Sequence, residues 1–122
     1  TGEPVVLWAS GAGPRAAHFR SNYYPDAEYD EAVIATLYEA SGRRFTYLGD
    51  WHTHPAPTCD LSWRDRRTLK RIAAHRDARI NTPLMILLVL NDQWRPIAWQ
   101  GSLKRGMWRS RLVTAQLQIH TF

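Results

Sequence analysis

The sequence predicts an α/β (α+β) fold in which helices flank a mixed β-sheet. Two segments carry apolar residues at three- and four-residue steps, as amphipathic helices do, and short apolar runs of strand length lie around them. The resulting order of strand, helix, strand, helix and three further strands is typical of a mixed sheet with helices packed on it. No repeat or linker divides the 122 residues, so we expect one domain over residues 1–122.

The first half of the chain is expected to form a strand, a helix and a second strand. Residues 5–8 are a short apolar, β-prone run that ends at a turn rich in Gly and Pro. Residues 26–41 predict the first helix, because one apolar stripe recurs along them, acidic residues lie near their start and Gly42 follows their end. Residues 45–54 predict the second strand, which Pro55 ends.

The second half is expected to form one helix and three strands. Residues 62–79 predict the helix, and its inward stripe begins at Asp65. Residues 83–90 are a nearly continuous apolar run, which is typical of a strand covered on both faces. Residues 94–99 and 108–122 predict the last two strands.

The composition is that of an ordinary globular protein. Hydrophobic residues make up 44% and charged residues 22%, which excludes a disordered chain, a collagen-like repeat and a coiled coil. The longest apolar run, residues 84–90, is too short to cross a bilayer. One cysteine, Cys59, and the lack of a leader-like start lead us to expect a cytoplasmic protein. The chain begins at Thr1, and we expect it to lack the N-terminal elements of its domain.

The net charge of +5 belongs to one segment of the chain. Between Arg64 and Arg79 there are seven basic residues and two acidic ones, and the rest of the sequence is balanced. This segment predicts a solvated helix face that docks an acidic partner. Nucleic-acid binding is the weaker interpretation, since no nucleic-acid motif accompanies the charge and no aromatic residues are interleaved with it.

The chemistry is expected around a His-x-His sequence at the end of the second strand. Residues two apart on a strand point to the same side, so His52 and His54 present two imidazoles to one point. Asp65, in the first turn of the following helix, returns a carboxylate to that point. Two histidines and one carboxylate are the ligands of a catalytic zinc site, although iron and manganese accept the same set.

Each of these residues also has a purely structural interpretation. His52 and His54 fit a hydrogen-bonded pair on a sheet edge, and Ser62 with Asp65 fits a capping box at a helix start. Cys59 is expected to be a small buried residue rather than a metal ligand or a redox switch. The joint occurrence of all these residues at fixed spacing is what favours the metal site.

At these residues the sequence resembles the JAMM (MPN-plus) metallopeptidases, in particular their bacterial branch. The family signature is an upstream Glu, then His-x-His-Pro, seven residues, Ser, two residues and Asp, and the part from His52 to Asp65 matches without a gap. The resemblance implies that His52, His54 and Asp65 bind Zn²⁺. It implies that Ser62 donates a hydrogen bond beside the metal and so stabilises the tetrahedral intermediate. The lead-in at residues 47–51 is also similar to that branch.

The resemblance implies a zinc-dependent isopeptidase or peptidase that acts on the C-terminal tail of a ubiquitin-like protein. The departure is the general-base Glu, which has no clear counterpart. We expect this base in residues that precede Thr1, and the alternative is Glu3, the only acid before the first helix, which lies in a sequence typical of a turn. Asp50, on the strand that carries the histidines, is expected to orient them. If no base exists, a catalytically incomplete MPN-type binding or scaffold module becomes the better interpretation.

Overall fold

The structure is a computed structural model that describes residues 3–18, 23–54 and 57–121. The chain forms two compact units, residues 1–47 and residues 48–122. The expectation of one domain over the whole chain stays a prediction.

The first unit consists of a two-stranded ribbon and one helix. Strands β1 (Ala17–His18) and β2 (Tyr23–Tyr24) pair antiparallel, and helix α1 (Ala27–Ala40) follows. Asp26 begins the helix, because its side chain accepts a hydrogen bond from the backbone N–H of Tyr29. The predicted helix is therefore confirmed to within one residue at each end. No residue of α1 is fully buried.

The strand predicted over residues 5–8 is wrong. These residues form no strand, and their four apolar side chains are between 46% and 63% exposed. An apolar run becomes a strand only where a neighbouring strand takes up its backbone hydrogen bonds. In the described ranges of the chain, no strand pairs with this run. The ribbon of β1 and β2 was not predicted, since each of its strands has only two residues.

The second unit is built on a four-stranded mixed sheet, which confirms the predicted fold class. Its strands lie in the order β3-β4-β5-β6; β3 and β4 are parallel, and the other neighbours are antiparallel. They are β3 (Gly49–His54), β4 (Leu84–Leu90), β5 (Trp94–Arg105) and β6 (Ser110–Leu117).

Helix α2 (Trp63–Ala74) covers one face of this sheet and packs against β4, β5 and β6. Leu69, at its centre, is fully buried and forms the core with Leu61 and with Met85, Leu87 and Val89 of β4. The predicted inward stripe of the helix is confirmed at its start, where Asp65 and Leu69 are both buried. Neither α1 nor α2, the helices of the described ranges, is long and apolar enough to cross a membrane.

Several boundaries differ from their predictions, including both ends of the last strand, which covers Ser110–Leu117 rather than residues 108–122. Helix α2 ends at Ala74 rather than at residue 79, because His75 is extended and its Nδ1 accepts a hydrogen bond from the Asp77 N–H, which starts a separate 3-10 turn. Strand β3 begins only at Gly49. The last two strands form one long hairpin, in which the pairing continues to Arg105 opposite Ser110. Cross-strand pairing, which a single segment does not reveal, decides where these strands end.

Candidate metal centre

The two histidines lie on the face of β3 that α2 covers. In the parallel pairing with β4, His52 is opposite Leu87 and His54 is opposite Val89, and both partners belong to the buried core. Gly49 allows β3 to start this close to β4, since a Cβ atom there would lie 1.9 Å from the carbonyl oxygen of Leu84. The strand alternation therefore aims both imidazoles inward, as predicted.

Asp65 is held by the first turn of α2. The Asp65 carboxylate Oδ2 accepts a hydrogen bond from the Ser62 backbone N–H at 2.8 Å, and the Asp65 backbone N–H donates to Ser62 Oγ at 3.1 Å. The two bonds form a capping box at the start of the helix. The same bonds fix the direction in which the buried carboxylate points.

The three side chains meet. His52 Nε2 lies 3.1 Å from Asp65 Oδ1, and His54 Nε2 lies 3.4 Å from Asp65 Oδ2. The two imidazole rings have their centres 5.0 Å apart and are tilted by 50°. One ligand atom from each residue lies within 4.8 Å of the other two. The convergence predicted from the spacing is present.

Asp65 is ionised in this setting. Burial raises the pKa of its carboxyl, but hydrogen bonds from the His52 side chain and from the Ser62 backbone N–H outweigh this and bring the pKa to about 2. A carboxylate that is charged at neutral pH is what a divalent cation requires.

The cluster opens to solvent on one side. The His52 side chain is 38% exposed, whereas those of His54 and Asp65 are 14% and 7% exposed. A small molecule or an extended chain can therefore reach the cluster beside His52, while the other two groups form its floor.

The residues fit a metal ion. Ligand atoms around a tetrahedral zinc lie about 3.3–3.6 Å apart when the bonds are about 2.0–2.2 Å long. His52 Nε2 and His54 Nε2 lie 3.1 and 3.4 Å from the two different oxygens of the Asp65 carboxylate, and one ligand atom from each residue lies within 4.8 Å of the others, so modest adjustment would bring the three around one ion. In addition, His54 Nδ1 is buried and has no hydrogen-bond partner among the described residues.

Comparison with known proteins identifies the family. A family model described as "Prokaryotic homologs of the JAB domain" matches residues 4–110. The chain belongs to this prokaryotic JAB family. Over 121 residues it is also 41% identical to "Probable metalloprotease y4qB" of Sinorhizobium fredii (strain NBRC 101917 / NGR234), with 97% of this chain and 74% of that protein covered. At the level of the family, the chain is a metal-dependent peptidase of the bacterial JAMM/MPN group.

Ser62, to which the resemblance assigns a catalytic role, lies at the N-cap of α2. Its Oγ accepts from the Asp65 N–H, and the side chain is exposed beside the cluster. Because Ser62 Oγ acts as the acceptor in this bond, its hydroxyl hydrogen can still be donated to another group. Its contribution to the JAB reaction stays a prediction.

The loop between β3 and α2 differs from the prediction. Cys59 is exposed, so the expectation of a small buried residue is wrong. Its carbonyl oxygen accepts a hydrogen bond of 2.8 Å from Trp99 Nε1 of β5, and this bond ties the loop to the sheet. This role of Trp99 could not be predicted from the sequence, because nothing in the spacing connects two residues 40 positions apart.

The two remaining acidic candidates stay predictions. Glu3 is an exposed residue of the first unit. Asp50 lies on β3, where the alternation places it on the same side as His52.

Proposed function

We propose that this chain is a zinc-dependent isopeptidase or peptidase that cleaves after the C-terminal tail of a ubiquitin-like protein, with water as the nucleophile. The observation that carries the proposal is the meeting of His52, His54 and Asp65 at one point, within a family of metal-dependent peptidases. The relative from Sinorhizobium fredii is named a probable metalloprotease, which supports the reaction class.

His52, His54 and Asp65 would hold the metal. Zinc suits this set best, because catalytic zinc sites combine three protein ligands of the His and carboxylate type with one position left for water or substrate. When bound, zinc brings the pKa of water close to neutrality and polarises the carbonyl of the scissile bond.

The surrounding residues orient the site and admit the substrate. The two hydrogen bonds of the capping box restrict the Asp65 side chain to a conformation in which its carboxylate faces the histidines. Ser62, exposed beside the cluster, donates its hydroxyl hydrogen to the oxyanion that develops on the attacked carbonyl. The exposed side of His52 is the entrance for the scissile bond.

An extended substrate tail is supported by the position of β3. Within the four-stranded sheet β3 is an edge strand, and edge strands bind extended peptides through main-chain hydrogen bonds. A flexible C-terminal tail, such as a ubiquitin-like protein carries, fits this mode because it has no structure of its own to unfold.

Zinc content tests the ligand assignment. Elemental analysis of the purified chain is expected to find one zinc per molecule, and a His52→Ala, His54→Ala double variant is expected to lose it. The matched control is a His75→Ala, His120→Ala double variant, which removes two imidazoles outside the cluster and should keep the metal. Full occupancy in the first variant would refute the ligand assignment.

Cleavage tests the reaction. A ubiquitin-like protein fused through its C-terminal tail to a reporter should be cut at the junction, and a chelator should stop the reaction. The 122-residue chain should be compared with a chain extended at its N-terminus and with a Glu3→Gln variant. If Glu3 is the general base, this change lowers turnover by about 10²–10⁴ at constant zinc content. Zinc binding without cleavage in every form would favour a scaffold module instead.

A further inference from the structure

The second unit carries a groove with a strongly cationic lining on the flank of α2. Its volume is about 380 Å³. Two regions that are far apart in sequence supply its cationic side chains: Arg66, Arg67 and Lys70 of α2, and Arg109, just before β6, with Arg111 of β6. From the sequence we expected one basic helix face over residues 64–79. Only Arg66, Arg67 and Lys70 of that segment line the groove.

The groove is separate from the metal centre. Strand β3, which carries the histidines, and strand β6 are the two edges of the sheet, so they lie about 14 Å apart at the usual strand spacing. Asp65 faces His52 on β3, whereas the next residue, Arg66, donates through Nη1 to Thr114 Oγ1 on β6 at 3.1 Å. The two sites therefore occupy opposite flanks of α2.

The positive charges of the groove are not neutralised. Among the residues that the structure describes, no carboxylate forms an ion pair with any of the five cations. Four of the five are arginines, whose planar guanidinium groups bind carboxylates and phosphates in a bidentate manner. An anionic occupant would relieve the mutual repulsion of these groups.

An apolar tip lies next to the groove in sequence. The backbone N–H of Gly106 donates to the Arg109 carbonyl oxygen at 2.9 Å and closes the turn between β5 and β6. The two residues at its apex, Met107 and Trp108, are 89% and 92% exposed. Exposing two such side chains is unfavourable in an isolated protein. Met, Trp and Arg together are the residue types enriched at protein–protein interfaces.

We propose that this groove and tip form a docking surface for an acidic polypeptide segment that also carries an apolar side chain. Carboxylates would pair with the groove cations, and the apolar side chain would pack on Met107 and Trp108. A polypeptide is favoured over a nucleic acid, because β6 is a sheet edge that can pair with an extended peptide.

Fluorescence anisotropy with a labelled, Glu-rich peptide that contains one central Leu tests the proposal. Reversing two groove charges, Arg67→Glu with Arg111→Glu, is expected to weaken binding at least about tenfold, which corresponds to about 1.4 kcal/mol. The matched control is Arg76→Glu with Arg95→Glu, which makes the same change in net charge at exposed positions outside the groove and should leave the affinity within about twofold. Circular dichroism and zinc content serve as checks that both variants are folded.

Two further measurements distinguish the proposed peptide from other ligands of the groove. Trp108→Ala should weaken binding of the Leu-containing peptide but not of an all-Glu peptide of the same length. Equal losses in the groove and control variants would overturn the proposal, because net charge alone would then explain binding. Tighter binding of a labelled single-stranded DNA that depends on Arg67 and Arg111 would also overturn it, as would no peptide binding at low salt.

Discussion

At the scale of single residues, Asp65 belongs both to the capping box of α2 and to the candidate metal cluster, which the sequence presented as alternatives. One oxygen of its carboxylate faces His52, and the other accepts from the Ser62 N–H and faces His54. The bonds that start the helix are therefore also the bonds that orient the ligand. A capping box and a metal site with the same residues do not compete, because a carboxylate has lone pairs for both.

Ser62→Ala separates the two contributions of this serine. Loss of the Oγ acceptor is expected to cost about 1 kcal/mol of the free energy of unfolding, because the Asp65 N–H loses its partner. The Ser62 backbone N–H still holds the Asp65 carboxylate, so zinc content should not change. Turnover should fall if the hydroxyl assists the reaction. Denaturant unfolding, elemental analysis and a cleavage assay measure the three quantities.

Ser62→Thr is the control, since it keeps a hydroxyl at the N-cap and should restore both stability and turnover. Unchanged turnover in Ser62→Ala would show that the serine only caps the helix and does not assist the reaction.

At the scale of elements, each helix begins at a residue that accepts backbone hydrogen bonds. Asp26 does this for α1 and Ser62 for α2. Asp26 also reaches outside its helix, because its Oδ2 accepts from the Arg15 N–H at 2.9 Å. The capping residues determine where the helices start. Both starts agree with the sequence prediction, because a cap depends only on residues within one helical turn.

The Asp26 cap predicts a pH dependence of α1. Hydrogen bonds from the backbone N–H groups of Arg15 and Tyr29 hold the pKa of the Asp26 carboxyl below its ordinary value of 3.8. The folded pKa is the lower one, so the carboxylate stabilises the fold above the ordinary value and this contribution is lost as the pH falls through the lowered pKa. Circular dichroism at 222 nm over an acid titration measures it.

Asp26→Asn should flatten that part of the titration and lower stability at neutral pH. An acid titration identical to that of the unchanged chain would show that Asp26 does not control the helix. Asp92→Asn, in the turn after β4, is the matched control.

At the scale of the whole molecule, the buried apolar core belongs to the second unit. All of the buried apolar side chains found in the described ranges, from Leu61 to Ala98, lie in residues 48–122, whereas α1 has no buried residue. Local stability follows the amount of buried apolar surface. The two units are therefore expected to differ in how readily they open.

Hydrogen–deuterium exchange measures this difference. The amides of β4, which runs through the core, should exchange only through global unfolding. The amides of α1 should exchange faster, through local opening of a helix with little buried surface. Equal protection of the two elements would instead support a single cooperative domain over residues 1–122.

Much of the fold and the centre of the site could be predicted from local pattern. Helix α1, the start of α2, strand β4 and the turn that follows it depend on periodicity and caps, which act over a few residues. The shared side of His52 and His54 depends only on strand alternation. Residues 5–8 and the length of the last hairpin could not be predicted in this way, because pairing with a distant segment decides them. The end of α2 depends on a local hydrogen bond from the Asp77 N–H to His75 Nδ1, which periodicity does not reveal.

The sequence by itself determined the α+β class and the shared side of His52 and His54, since periodicity and strand alternation act between neighbours in the chain. Only the tertiary structure decided that Asp65 caps and faces both histidines at once, that Trp99 holds the loop between them, and that Arg109 and Arg111 join Arg66, Arg67 and Lys70 in one groove. The physical reason is the separation in sequence between the residues that interact. The first group depends on neighbours in sequence, whereas the second depends on side chains that only the packing of α2 on the sheet brings together.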